Sequence, residues 1–188
     1  MRVVIADAGP LIGLARIGHL DLLRTLFGGV TLTVVVAAEI GMDATALAPT
    51  DAAPSKGAGM ARAEMDNETD GSAGQDVDAV SRPGASAIAE ALAEGWLSIA
   101  NATDAPDIEP LNPGVDPGEH STIALALHWK AAGAQVLLIV DDRCGRAEAR
   151  GRGLPILGTA AVLVLAKRQQ LIPACAPLLV SLREEGYY

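Results

Sequence analysis

VLLIVDDRCGR, residues 136–146, is an unbroken apolar run, then two aspartates, then an arginine-bearing stretch. A short apolar run bounded so sharply reads as a strand buried on both faces. Strands of that kind belong to parallel sheets covered by helices above and below. A carboxylate placed directly after such a strand is costly unless it meets solvent, a metal or a hydrogen-bond donor. The Asp141-Asp142 pair therefore marks both a sheet and a candidate site.

Three more acids stand where apolar runs end or helices begin. They are Asp7 in VVIADAGPLI (3–12), Glu39 in VVVAAEI (34–40) and Glu119 in DPGEHSTIALAL (116–127). Residues 2–6 read as the first strand, and Gly9-Pro10 turns the chain into a helix that breaks near Gly18. VTLTVVV (30–36) is β-branched and predicts a second strand, with a short helix carrying Glu39 after it. GASAIAEALAEG (84–95) predicts a helix and WLSIA (96–100) a strand. Asp116-Pro117 reads as an N-cap and first helical residue. After QVLLIV come a basic helix to Arg152, a short LPIL strand, a helix from Gly158-Thr159 to Gln170, and a last helix begun by Pro173. Alternation of this kind implies an α/β fold with a central parallel sheet and right-handed crossovers. Ligands bind such sheets at the carboxyl ends of the strands, where Asp7 and Asp141-Asp142 stand.

The chain of 188 residues suits a single domain, 1–188. From about residue 42 to residue 83 neither helical nor strand periodicity persists, and a flexible acidic insertion is expected there. The apolar runs are too short to cross a bilayer, so no membrane association is expected. Cys144 and Cys175 carry no CxxC spacing, and no secretory signal is visible. A reduced, cytoplasmic protein is the expectation. The net charge of −9 argues at first against a nucleic-acid partner. The acids concentrate between Asp43 and Asp78, however, whereas Arg143, Arg146, Arg150, Arg152, Lys167 and Arg168 face Glu148 alone. A local basic face attracts phosphates even on an acidic molecule.

Carboxylates from strand ends and helix starts make a hard, all-oxygen donor set, which selects Mg²⁺ or Mn²⁺ over zinc. Arg143 and Arg146 are candidates for holding substrate phosphates or are solvated helix charges. Thr159 either caps its helix or orients an acid. His19, His120 and His128 are scattered and suit core or surface roles.

Asp-x-Gly-Pro-Leu-Ile (7–12), Gly-Glu-x-x-x-Ile-x-Leu-Ala (118–126), Asp-Asp-Arg-x-Gly-Arg (141–146), Leu-Pro-Ile-x-Gly-Thr (154–159) and Ala-Lys-Arg (166–168) occur in that order. Together they resemble the PIN-domain superfamily, and more narrowly a prokaryotic branch related to VapC-like toxins. The resemblance covers about 1–41 and 84–188. It implies a Rossmann-like α/β/α sandwich and a Mg²⁺- or Mn²⁺-dependent nuclease acting on RNA. A toxin role opposed by a small antitoxin protein is a further implication. By position, Asp7, Glu39, Glu119 and Asp142 match the catalytic, metal-holding acids, with Asp141 a second ligand or a group that orients one. Ala8 and Gly9 depart from the hydroxyl residues common after the first Asp. A catalytically degenerate PIN-like module binding RNA or protein is the alternative. A receiver-like or phosphatase-like domain is weaker, because the first acid lacks a D-x-D arrangement. The surplus of apolar helices makes a homodimer an expectation.

Overall fold

The computed structural model describes residues 2–42, 84–100 and 108–187. The anticipated flexible insertion falls, apart from Met42, outside the described residues. In chain order the elements are β1 (Arg2–Ala6), α1 (Ala8–Arg16), α2 (Asp21–Phe27), β2 (Val30–Thr33), α3 (Val34–Ile40), α4 (Ala85–Ala93) and β3 (Leu97–Ala100). They continue with α5 (Pro117–Ala131), β4 (Gln135–Ile139), α6 (Arg143–Gly151), β5 (Ile156–Leu157), α7 (Thr159–Arg168) and α8 (Ala176–Glu184). The strands form one parallel sheet in the order β3-β2-β1-β4-β5.

Side chains alternate across a strand, and here the alternation separates two cores. On β1, Val3 and Ile5 join Val136, Leu138 and Val140 of the β4 segment against Ile123 and Leu125 of α5 and Ala149 of α6. Val4 and Ala6 face the other way with Ile139, onto Leu11 and Leu14 of α1, Leu23 of α2, Ile88 of α4 and Leu163 of α7. Two apolar faces explain why β1 and β4 carry continuous apolar runs, and the result is an α/β/α sandwich. Among the described residues no helix is long and apolar enough to cross a membrane.

Strand order reverses at β1, whose neighbours are β2 on one side and β4 on the other. Loops leaving β1 and β4 at their carboxyl ends therefore depart to opposite faces and open a crevice between them. The Asp7 N–H still pairs with the Ile139 carbonyl at 3.0 Å, so the acid sits at the lip of that crevice.

Several boundaries differ from the sequence expectation: α7 ends at Arg168 rather than Gln170, and the LPIL strand is only Ile156–Leu157. The β-branched run at 30–36 is strand only to Thr33, and Val34–Val36 are helical. The Thr33 hydroxyl accepts the Val36 N–H at 3.2 Å as an N-cap, and Val36, Ala37 and Ile40 are buried. Capping and burial together override the strand preference of valine. The last helix begins at Ala176 rather than at Pro173.

Candidate metal centre

Asp7 stands at the N-cap position of α1, yet its side chain makes no capping hydrogen bond. It is buried, and its Oδ1 has no hydrogen-bond partner. Desolvation, with the charges of Asp116 and Glu39 nearby, pushes its pKa up to about 7, although the N–H groups of Ala8 and Gly9 offset part of the rise.

Glu119 is 1% exposed in the first turn of α5. It forms a capping box with Asp116: its N–H donates to Asp116 Oδ1 at 2.8 Å, and its Oε2 accepts the Asp116 N–H at 3.2 Å. Its other oxygen, Oε1, is buried without a partner. Burial again dominates its pKa, raised to about 7, with Asp116, Asp142 and Asp7 adding repulsion. Gly145 makes room for it, since a Cβ there would lie 2.5 Å from Oε1.

Glu39, exposed at the end of α3, also has a raised pKa, from burial first and then Asp116. The Gly118 N–H opposes that rise, and a Cβ at Gly118 would overlap the Glu39 carboxylate. A buried pair of hydroxyls, Thr33 Oγ1 and Ser121 Oγ at 2.7 Å, ties the start of α3 to α5, and Ser121 donates to the Gly118 carbonyl. Glu39 thus lies against Gly118 of α5, on a helix whose N-cap residue, Thr33, is itself tied to α5.

Asp142 caps α6 through Oδ1, which accepts the N–H groups of Cys144 and Gly145. Burial alone would raise its pKa, but these N–H donors and the neighbouring Glu119 carboxyl outweigh it and hold the pKa low. Two carboxylates side by side are acceptors facing acceptors. A proton or a cation between Glu119 and Asp142 satisfies both.

Asp141 differs from its neighbour. Its Oδ1 accepts the Thr159 N–H at 2.9 Å, and its Oδ2 accepts the hydroxyls of Thr159 and Tyr187. Thr159 thereby orients an acid at the start of α7, and the N-cap residue is Gly158. Arg143 is exposed at the start of α6, and the Arg146 guanidinium lies with Asp141 beside Gly158.

The structure therefore puts Asp7 within electrostatic reach of Glu39 and Glu119, and Glu119 within reach of Asp142, while Asp141 is committed to α7. Sequence reasoning read Asp116 only as a cap, although its charge acts on Asp7, Glu39 and Glu119 alike. The D-x-x-E spacing that signals a capping box was the available clue. It also missed Tyr187. Among the described residues no three His, Cys, Asp or Glu side chains stand close enough to hold a metal as they are. The donor chemistry still fits a hard cation: two buried carboxylate oxygens lack partners, and glycine backbones are pressed against two of the acids.

A five-strand parallel sheet with acids at its carboxyl edge defines a Rossmann-like α/β fold. The family model for DUF3368, a PIN domain, matches residues 3–62 and 74–188, and the chain belongs to that PIN-domain family. The residues between the two matched segments, 63–73, lie inside the stretch anticipated as an insertion. No curated protein matches the chain significantly.

Proposed function

We propose that the acidic crevice is the centre of a metal-dependent endoribonuclease. The observation that carries this reading is the pair of buried, partnerless oxygens, Asp7 Oδ1 and Glu119 Oε1, on carboxyls coupled to each other. An anion cluster with orphaned acceptors at a sheet switch point is stabilised by a cation more than by any residue present. Asp7, Glu39, Glu119 and Asp142 would hold Mg²⁺ or Mn²⁺, with Asp116 adding negative charge and Asp141 fixing the chain beside Asp142. Such an ion, when bound, supplies charge neutralisation at a phosphodiester and a water of lowered pKa. Hydrolysis would join a water oxygen to phosphorus and break one ester P–O bond, the attacking water giving up a proton and the leaving oxygen taking one up.

The chain's own residues bind and orient. Arg143, exposed on the first turn of α6, would hold a backbone phosphate, with Arg146 one turn further on. With pKa values raised to about 7, Asp7 and Glu119 would give up protons on binding such a cation near neutral pH. Asp7→Ala and Asp142→Asn abolish Mn²⁺-dependent RNA cleavage while keeping the wild-type circular dichroism spectrum. Cleavage undiminished in both would refute the assignment.

That no three acids among the described residues stand close enough to hold a metal favours one rival, a degenerate PIN-like module that binds RNA or protein without cutting. It predicts RNA binding that persists in chelator and no cleavage at any Mn²⁺ concentration. A toxin role extends the nuclease reading: wild-type expression arrests growth, Asp7→Ala does not, and a small antitoxin protein relieves the arrest. The exposed Val164, Leu171, Leu179 and Val180 are candidate material for a homodimer, which sedimentation would reveal.

A further inference from the structure

Helix α8 ends in a Schellman motif. Gly186, at φ +74°, donates its N–H to the Arg183 carbonyl, and the Tyr187 N–H reaches the Leu182 carbonyl at 2.9 Å. That turn sends Tyr187 back over α1, and Arg16 of α1 holds the Glu185 carbonyl at 2.9 Å. Two glycines one helical turn apart, Gly9 and Gly13, receive the tyrosine. A Cβ at Gly13 would lie 2.7 Å from the ring, and one at Gly9 would lie 3.3 Å from the hydroxyl and 4.0 Å from Asp7 Oδ2. The ring thus lies on a side-chain-free strip of α1, with its hydroxyl carried toward the acids.

There the hydroxyl donates to Asp141 Oδ2, which also accepts the Thr159 hydroxyl. Asp141 is consequently held by α7 on one side and by the segment after α8 on the other. The next residue is Asp142.

We propose that Tyr187 is a positioning residue of the acidic centre: laid on the glycine strip of α1, its hydroxyl fixes Asp141 and through it the backbone that presents Asp142. The proposal rests on the metal-dependent reading above. A tyrosine serving only as core filling would act through its ring alone. One acting through its hydroxyl is sensitive to losing a single oxygen.

The test measures Mn²⁺ affinity by calorimetry and Thr159 amide hydrogen exchange in the full chain. The proteins compared are wild type, Asp142→Asn, Tyr187→Phe and the double variant Gly9→Ser/Tyr187→Phe. Tyr187→Phe keeps the ring and is expected to bind Mn²⁺ about tenfold more weakly, as when a partner of a ligand is removed. Its Thr159 amide exchanges faster, at a nearly unchanged melting temperature. The serine at position 9 puts a hydroxyl next to the vacated place and restores part of the affinity, which ring packing cannot explain. Wild-type affinity in Tyr187→Phe beside lost binding in Asp142→Asn overturns the role of Tyr187 and leaves the metal site standing. No Mn²⁺ binding by the wild type overturns both.

Discussion

Two buried glutamates, Glu148 on α6 and Glu119 on α5, share a chemistry and little else. Glu148 is 2% exposed, and its oxygens accept the N–H groups of Leu111 and Asn112 and the Arg152 Nε. Burial alone would raise its pKa, but those donors reverse the direction and hold it low. Glu119, as deeply buried, keeps one oxygen without a donor, stands among Asp116, Asp142 and Asp7, and has a pKa raised to about 7. The first arrangement is finished: it pins the segment before α5 onto α6. The second wants a positive partner that the described residues do not provide. Burial of a carboxylate therefore says little about function, whereas the state of its oxygens says a great deal.

The comparison can be broken from either end. The largest effect is expected at the acidic crevice, where Asp7→Ala lowers Mn²⁺-dependent RNA cleavage by on the order of 1,000-fold. That is the rate equivalent of several kcal/mol of lost charge stabilisation. Retained cleavage would make the cluster as structural as Glu148.

Next comes Glu148→Ala, which strands two N–H groups and the Arg152 guanidinium. It should lower unfolding free energy in urea by about 3 kcal/mol. Glu119→Gln, by contrast, removes a charge that nothing neutralises and leaves apo stability level or higher, while Mn²⁺ binding is lost. Equal destabilisation by the two variants would erase the distinction drawn between them.

How far these roles were legible beforehand follows from what each depends on. The continuous apolar runs of β1 and β4 are a local pattern, and with the alternation of strands and helices they foretold the parallel sheet and the position of Asp7 at its carboxyl edge. The Asp116-Pro117 cap was legible for the same reason. Val34–Val36 were misread as strand because a single hydroxyl, Thr33, and burial decide them. Asp141 and Asp142 look identical in sequence; only the placement of Thr159 and Tyr187, 18 and 46 residues on, separates them. Long-range partners of that sort leave no periodic trace.

The acids also differ in their pH dependence. Asp7 and Glu119 bind protons more tightly folded than unfolded, so the stability they contribute is fully present below the ordinary carboxylate pKa and is lost as pH rises through about 7. Glu148 has the opposite sign: its contribution is present above its ordinary pKa and lost on acidification. Because Asp7 and Glu119 both lose this contribution between pH 5 and pH 8, the melting temperature of the metal-free protein should fall by ~5 °C or more over that range. Saturating Mn²⁺ should flatten that slope. The smallest effect is expected from Gly118→Ala, whose new methyl pushes on Glu39 and costs about 1 kcal/mol together with some Mn²⁺ affinity.

Calorimetric titration of Mn²⁺ at pH 6.5, repeated in two buffers of different ionisation enthalpy, reads the central claim most directly. With Asp7 and Glu119 largely protonated at that pH, binding should release about one proton or more per ion. Asp7→Asn should reduce both the release and the affinity. Absence of binding, or binding with no proton release and no response to Asp7→Asn, would contradict the assignment of the acidic crevice as a metal centre.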